Sequence, residues 1–168
     1  MNFEQFEQII QQKMNEVVKF AEDDLPHIIG VEATEHFKES FDKQAFAGTH
    51  LEGGRGAWQE VERRKTDSPW YGFDAASPKH FSLKRTTDKI LRDTGELANA
   101  FSYRPEKGKV TITNDKPYAA VHNFGGQAKI FGKKPFTMPQ RKFMAHSQAL
   151  TDKINEKAQR EINNILKQ

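Results

Sequence analysis

Six histidines, His27, His36, His50, His80, His122 and His146, first raise the question of metal chemistry. A metal-binding helix commonly offers two histidines at i and i+4, and a zinc protease adds a glutamate between them; neither spacing occurs here. No metal centre is expected. His122, between Tyr118 and the Gly125-Gly126 pair, reads as a hydrogen-bonded structural histidine. His146 and Ser147 are adjacent, but sequence neighbours rarely turn their side chains toward each other, and no Gly-x-Ser-x-Gly elbow presents a nucleophile. Gly53, Gly54 and Gly56 lack the rest of a dinucleotide fingerprint, and no phosphate-binding Gly-Lys-Ser or Gly-Lys-Thr follows, so they read as loop. Asp23 and Asp24 fall where a helix is expected to end, and capping accounts for them without acid–base work. With no cysteine in 168 residues, thiolate ligands, thiol nucleophiles and disulfides are excluded. The expectation is a protein with no catalytic residues and no cofactor.

One stretch invites a binding role. From Gln127 to Phe143 the chain carries Lys129, Lys133, Lys134, Arg141 and Lys142 and no acid, interleaved with Phe131, Phe136 and Phe143. Charge plus stacking rings could hold single-stranded nucleic acid. The simpler reading makes the rings core or interface anchors and the lysines their solvated flank. The charge of the whole chain is uneven: residues 1–44 hold ten acids and four bases, residues 93–168 seven and thirteen. The pI near 9.0 hides an acidic front and a basic back. That asymmetry suggests head-to-tail self-association at least as well as nucleic-acid binding.

The elements that position these residues follow from periodicity. Phe3, Phe6, Ile10, Met14, Val17 and Ala21 form one apolar stripe of an amphipathic helix. Asp23, Asp24 and Pro26 look like a stop and a new start, and Ile29, Ala33, Phe37, Phe41 and Ala45 give a second helix, the two forming a hairpin or a bent pair. Gly30 is a cost to that helix. From Gly48 to Ser82 periodicity disappears; Trp58, Trp70, Tyr71, Phe73 and Phe81 argue for a large loop or arm packed on something, a neighbouring subunit being one choice. Asp93 and Glu96 resemble a capping box opening a short helix with Leu97 and Ala100. Phe101 and Tyr103, a turn at Pro105 to Gly108, then Val110 and Ile112 predict a hairpin that must lie against a helix or further strands. Tyr118 to Gly125 predicts a one-turn helix ended by glycine in the left-handed conformation. The basic stretch should be extended or loop, and Leu150, Ile154, Ala158, Ile162 and Leu166 predict a last helix from about Ser147. The class is therefore α+β: a small antiparallel sheet packed against N-terminal and C-terminal helices, with a long central loop or arm. One domain is expected over 1–168, with a helical front (1–45), the loop or arm (48–82), a region of strands and loops (91–147) and the C-terminal helix (148–168). The opening MNFEQFEQII has acids before any base and no long apolar run, so no secretory leader is expected, and no window reaches membrane-span length.

Four ordered segments look familiar together: DTGELANAF (93–101), KVTITND (109–115), KPYAAVHNFGG (116–126) and MPQRKFM (138–144). They resemble the phage virion-morphogenesis family, the tail-completion group of Mu-like, contractile-tailed phages. The positions carrying the resemblance are Thr94, Gly95 and Leu97; Tyr118, Ala119, His122, Phe124, Gly125 and Gly126; and Pro139, Arg141 and Phe143. The resemblance implies a non-enzymatic structural protein that completes the tail and prepares it for joining to the head, as a homo-oligomeric ring against tail-tube and neck or connector proteins. It implies no sequence-specific nucleic acid, no membrane, and a place in the virion after assembly in the bacterial host cytoplasm. The alternative is a basic nucleic-acid-binding module. Tyr118 and Phe124 are expected to form a buried aromatic cluster. Pro139 should hold an extended segment that delivers Phe143 as an anchor, and Arg141 has a planar fork suited to a carboxylate or to backbone carbonyls. On this reading the Arg141 loop reaches the acidic front of the next subunit.

Overall fold

A computed structural model describes residues 2–48, 56–130 and 134–168. His50, Gly53, Gly54, Phe131 and Lys133, singled out above, lie outside the described residues. The class is α+β, and the chain divides into two compact units, residues 1–36, 102–113 and 147–168 in one, residues 37–101 and 114–146 in the other.

The first unit is mainly helical. Helix α1 (Phe3–Lys19) opens with a capping box, Asn2 and Gln5 each bonding the other's backbone N–H. It does not end at the acidic pair. The chain continues through a π-helical turn, Phe20–Asp24, directly into α2 (Leu25–Lys43), so neither a hairpin nor a cap at Asp23 and Asp24 forms. Pro26 explains the widened turn. It has no N–H for the carbonyl of Glu22, and the Leu25 N–H reaches back five residues to Phe20. The Glu22 carbonyl accepts instead from the Gly108 N–H at 2.8 Å, and Lys107 Nζ lies 2.9 Å from its carboxylate. Those two residues join strands β1 (Phe101–Glu106) and β2 (Lys109–Asn114), so Pro105 belongs to the strand rather than to the turn.

This hairpin satisfies the expectation that it lie against a helix. A Cβ built on Gly30 of α2 would stand 2.2 Å from Tyr103 Cδ2 and 2.5 Å from Cγ, so the missing side chain is what admits the ring. Gly30→Ala should therefore destabilise the protein by about 1–3 kcal/mol through overpacking, although helix propensity alone favours alanine by about 1 kcal/mol. A raised thermal midpoint for the variant would contradict this packing.

Helix α5 (Gln148–Lys167) begins where its spacing says, with Ser147 as N-cap accepting from the Leu150 N–H. Its Lys153 and Lys157 reach the buried Glu32 of α2, Lys153 at 2.7 Å. Hydrogen bonds from Lys153 and then Lys157 outweigh desolvation and hold the Glu32 carboxyl below the usual carboxylate range. Part of the acidic front is thus answered by the basic back inside one chain, through Glu22 with Lys107 and Glu32 with the two α5 lysines. Helix α1 contrasts with both: it buries no residue, and Phe3, Phe6, Ile10 and Met14 of its stripe are 80, 49, 46 and 57% exposed.

The second unit is built on an aromatic core. Phe41 lies 5.5 Å from Trp58, 5.1 Å from Phe143 and 6.2 Å from Phe101, ring centre to ring centre, in edge-on and tilted arrangements. The described part of the central loop folds onto its own unit rather than forming an arm: Trp58 is buried and donates from Nε1 to the Lys142 carbonyl at 2.8 Å. Two 3₁₀ turns, Glu62–Arg64 and Leu83–Thr86, give it local form. Short helices α3 (Glu96–Asn99) and α4 (Ala119–Phe124) follow. The basic stretch folds as an antiparallel pair, β3 (Gly126–Ile130) with β4 (Lys134–Met138), Gly126 facing Met138 and Ala128 facing Phe136. The described strands thus make two separate two-stranded ribbons, not one sheet. Proline within β1 and β4 suits such ribbons, because each strand has an edge where a missing N–H costs no ladder bond. No helix among the described residues is long and apolar enough to cross a membrane.

Candidate functional site

One side chain makes three of the hydrogen bonds that hold the backbone after β4. Asn123, buried near the end of α4, accepts at Oδ1 from the N–H groups of Phe143 and Met144, both at 2.9 Å, and donates from Nδ2 to the Met144 carbonyl at 3.0 Å. Around it the Arg141 N–H donates to the His122 carbonyl at 2.8 Å, and Gln140 Nε2 to the Asn123 carbonyl at 3.1 Å. Gly125 makes this approach possible. Its φ of +72° favours glycine, and a Cβ there would stand 3.0 Å from Gln140 N and Met138 O. Its ψ of −170° is not the left-handed helical cap expected from the sequence; the chain turns straight out into β3.

The segment so held alternates. Arg141 and Phe143 are buried with Lys142 exposed between them, as an extended chain with period two requires. Phe143 anchors its own unit's core. Arg141 is 5% exposed; its Nε donates to the Gln59 carbonyl at 3.2 Å and its Nη1 contacts Met138 Sδ at 3.7 Å. It bonds a carbonyl, one of the partners its fork suits, but it is not displayed on a loop reaching an adjacent subunit. Nor do Arg141 and Phe143 belong to an exposed stacking platform for nucleic acid.

Arg141 helps to wall a cavity of about 530 Å³. Thr94 and Gly95, just before α3, and Leu97 within it form one wall, and Tyr118, the N-cap of α4, with His122 of that helix another, their rings edge-on at 6.0 Å. Six of the twelve motif positions, scattered from 94 to 141, thus meet at one place. Of the rest, Ala119 is buried, Gly125 and Gly126 shape the turn, Pro139 is half-buried in the extended segment, and Phe143 is core. Phe124 is 72% exposed and Tyr118 39%, so no buried pair forms. Six helical steps of 100° set the two about 120° apart around the helix axis, on different faces. Gly95 holds φ +81° as N-cap of α3, with Thr94 Oγ1 accepting from the Glu96 N–H at 3.3 Å; Asp93 pairs with Arg85 instead of forming the expected capping box.

Two further groups on the cavity wall escaped sequence reasoning. Arg63, in the 3₁₀ turn Glu62–Arg64, donates to the carbonyls of Asp88 and Lys89 at 3.3 and 3.1 Å, while its buried Nε has no partner among the described residues. Leu91 holds φ +57°, a strained value for a branched residue. His122 departs from expectation. Its Nδ1 is buried without a hydrogen-bond partner among the described residues, and burial, then Arg141, push its pKa below the usual histidine value. Burial likewise lowers Arg141, with repulsion from Arg63 adding to it, and burial then Arg85 lower Arg63. Both guanidiniums remain charged.

The model of the phage virion morphogenesis family matches residues 58–168, from the core tryptophan through the cavity walls to the last helix. The chain belongs to the phage virion morphogenesis family. Its role is accordingly a structural one in building a phage particle, in association with other phage structural proteins. No curated protein and no solved structure matches it. The match includes every motif position named above and leaves α1 and α2 outside.

Proposed function

We propose that this virion morphogenesis protein is a non-enzymatic subunit that completes the tail and joins it to the head, assembling as a closed ring of identical copies. The observation that carries the reading is helix α1. Its stripe of Phe3, Phe6, Ile10 and Met14 recurs every three to four residues, yet the helix buries none of its residues in the chain itself. A continuous apolar helix face left in water is a protein-interaction surface, and copies repeating one contact around an axis close into a ring. Acidic Glu4 and Glu7 on the same helix keep the free subunit soluble until it meets its neighbour.

Native mass spectrometry of the full chain tests this. The expected result is a single closed oligomer, or a monomer that assembles once tail tubes are added. Ile10→Asp combined with Met14→Asp should give a monomer of unchanged helical circular dichroism. A chain that stays monomeric beside tail tubes while binding DNA tightly and salt-sensitively would overturn the proposal.

A further inference from the structure

We infer that the cavity walled by Arg63, Arg141 and His122 is a receptor for a carboxylate carried by a peptide segment of an adjoining protein. The charge balance points to it. Both side chains line the cavity, the Arg63 charge adds to burial in lowering Arg141, and neither forms an ion pair among the described residues; their recorded partners are backbone carbonyls and a thioether. The two acids on the wall are already engaged: Asp93 pairs with Arg85, and Glu96 with Lys116 at 3.0 Å. The third arginine there, Arg92, is taken by Asp42. Neither guanidinium, Arg141 buried and Arg63 half-buried, is in ion-pair contact with an acid among the described residues; Asp93 and Asp88 near Arg63 and Glu60 near Arg141 act only at longer range, so an entering anion supplies the close counter-charge that each lacks.

The unpartnered atoms fit the same guest. Arg63 Nε and His122 Nδ1 are sealed from solvent and without a partner among the described residues, but both side chains line the cavity, and a rotation of either would offer its N–H to a carboxylate oxygen. The rest of the wall selects the kind of anion. Val61, Leu91, Leu97 and Met138 offer apolar surface to the hydrocarbon arm of a glutamate or aspartate and to its flanking residues. Asp93 and Glu96 repel a phosphodiester chain, whose charges repeat at every residue, but tolerate a single carboxylate directed between them. The site needs no ring, so it stands apart from the self-assembly through α1.

Arginine Nε–H and histidine resonances of the full-length, ¹⁵N-labelled protein read the contact directly. The probes are the peptide acetyl-Ala-Glu-Leu-Ala-amide, its glutamine counterpart and inorganic phosphate. The glutamate peptide should shift Arg63, Arg141 and His122 saturably, and the glutamine peptide should bind about tenfold more weakly, the loss of a charge-assisted pair. Arg63→Gln should weaken the glutamate peptide by a similar factor while leaving the weak binding of the glutamine peptide unchanged. Absence of a saturable shift, equal binding of the two peptides, or tighter binding of phosphate than of the glutamate peptide would overturn the assignment.

Discussion

Phe143→Ala should lower the stability of the protein by about 3–5 kcal/mol, the usual cost of removing a buried phenylalanine ring. Phe143 is 1% exposed and sits 5.1 Å from Phe41 and 5.9 Å from Phe101, ring centre to ring centre. Its neighbours cannot collapse into the space. Phe41 is held edge-on by Trp58, whose indole N–H is fixed on the Lys142 carbonyl, so the core is tied to the segment that the variant would loosen. Against a native stability of roughly 5–15 kcal/mol the loss is a large fraction, and at roughly 2–4 °C per kcal/mol the thermal midpoint should fall by about 10 °C. Phe143→Leu keeps most of the volume and should cost clearly less. Thermal unfolding followed by circular dichroism decides the matter: an alanine variant within about 1 kcal/mol of the parent, a core loss far below the usual range, would mean that the ring is not packed as described.

How legible this arrangement is in the sequence depends on the range of the interactions concerned. Helix α2 is readable because its apolar residues recur every four positions and bury a face that the chain itself covers, and α5 by the same spacing, although it buries only Leu150, leaves Ile154, Ala158 and Ile162 half-buried and exposes Leu166. Helix α1 has the same periodicity, but periodicity says only that one face is apolar, not which molecule covers it. The junction at Pro26 defeats a local reading. The orphaned Glu22 carbonyl is satisfied by Gly108, far along the chain, so residues that usually stop a helix here only widen one turn. The capping box at Asp93 fails for the same reason: Arg85 competes for the carboxylate.

The candidate site divides in the same way. Thr94, Gly95, Leu97, Tyr118, His122 and Arg141 are visible as ordered motif positions, but nothing in their spacing says that they enclose a common cavity. Arg63 is invisible, because in the run Glu62-Arg63-Arg64 it looks like one more solvated charge; its neighbour Arg64 does pair with Glu60, at 3.3 Å. A positive-φ turn at Gly125 is predictable from residue type. Its purpose, admitting the backbone of Met138 and Gln140, is not.

Asn123 is the residue that the motif positions most conspicuously omit, and its replacement should be nearly as damaging as loss of the core ring. Its amide side chain makes three hydrogen bonds to two consecutive residues of the returning strand-like segment. Truncation to alanine leaves the N–H groups of Phe143 and Met144 and the Met144 carbonyl without that partner, at roughly 1–3 kcal/mol for each group that stays buried. Relaxation and water entry offset part of this, so Asn123→Ala should cost about 3 kcal/mol. Asn123→Asp retains an oxygen for both N–H donors but sets a second carboxylate oxygen against the Met144 carbonyl and buries a charge, so it should be destabilising as well. Hydrogen exchange locates the effect as well as its size. In the alanine variant, protection should fall first at Arg141, Phe143 and Met144, whose N–H groups are held by His122 and Asn123, while the amides of α5 keep theirs. If protection falls equally in α5, then the paired acceptor is not what holds Arg141 on the cavity wall.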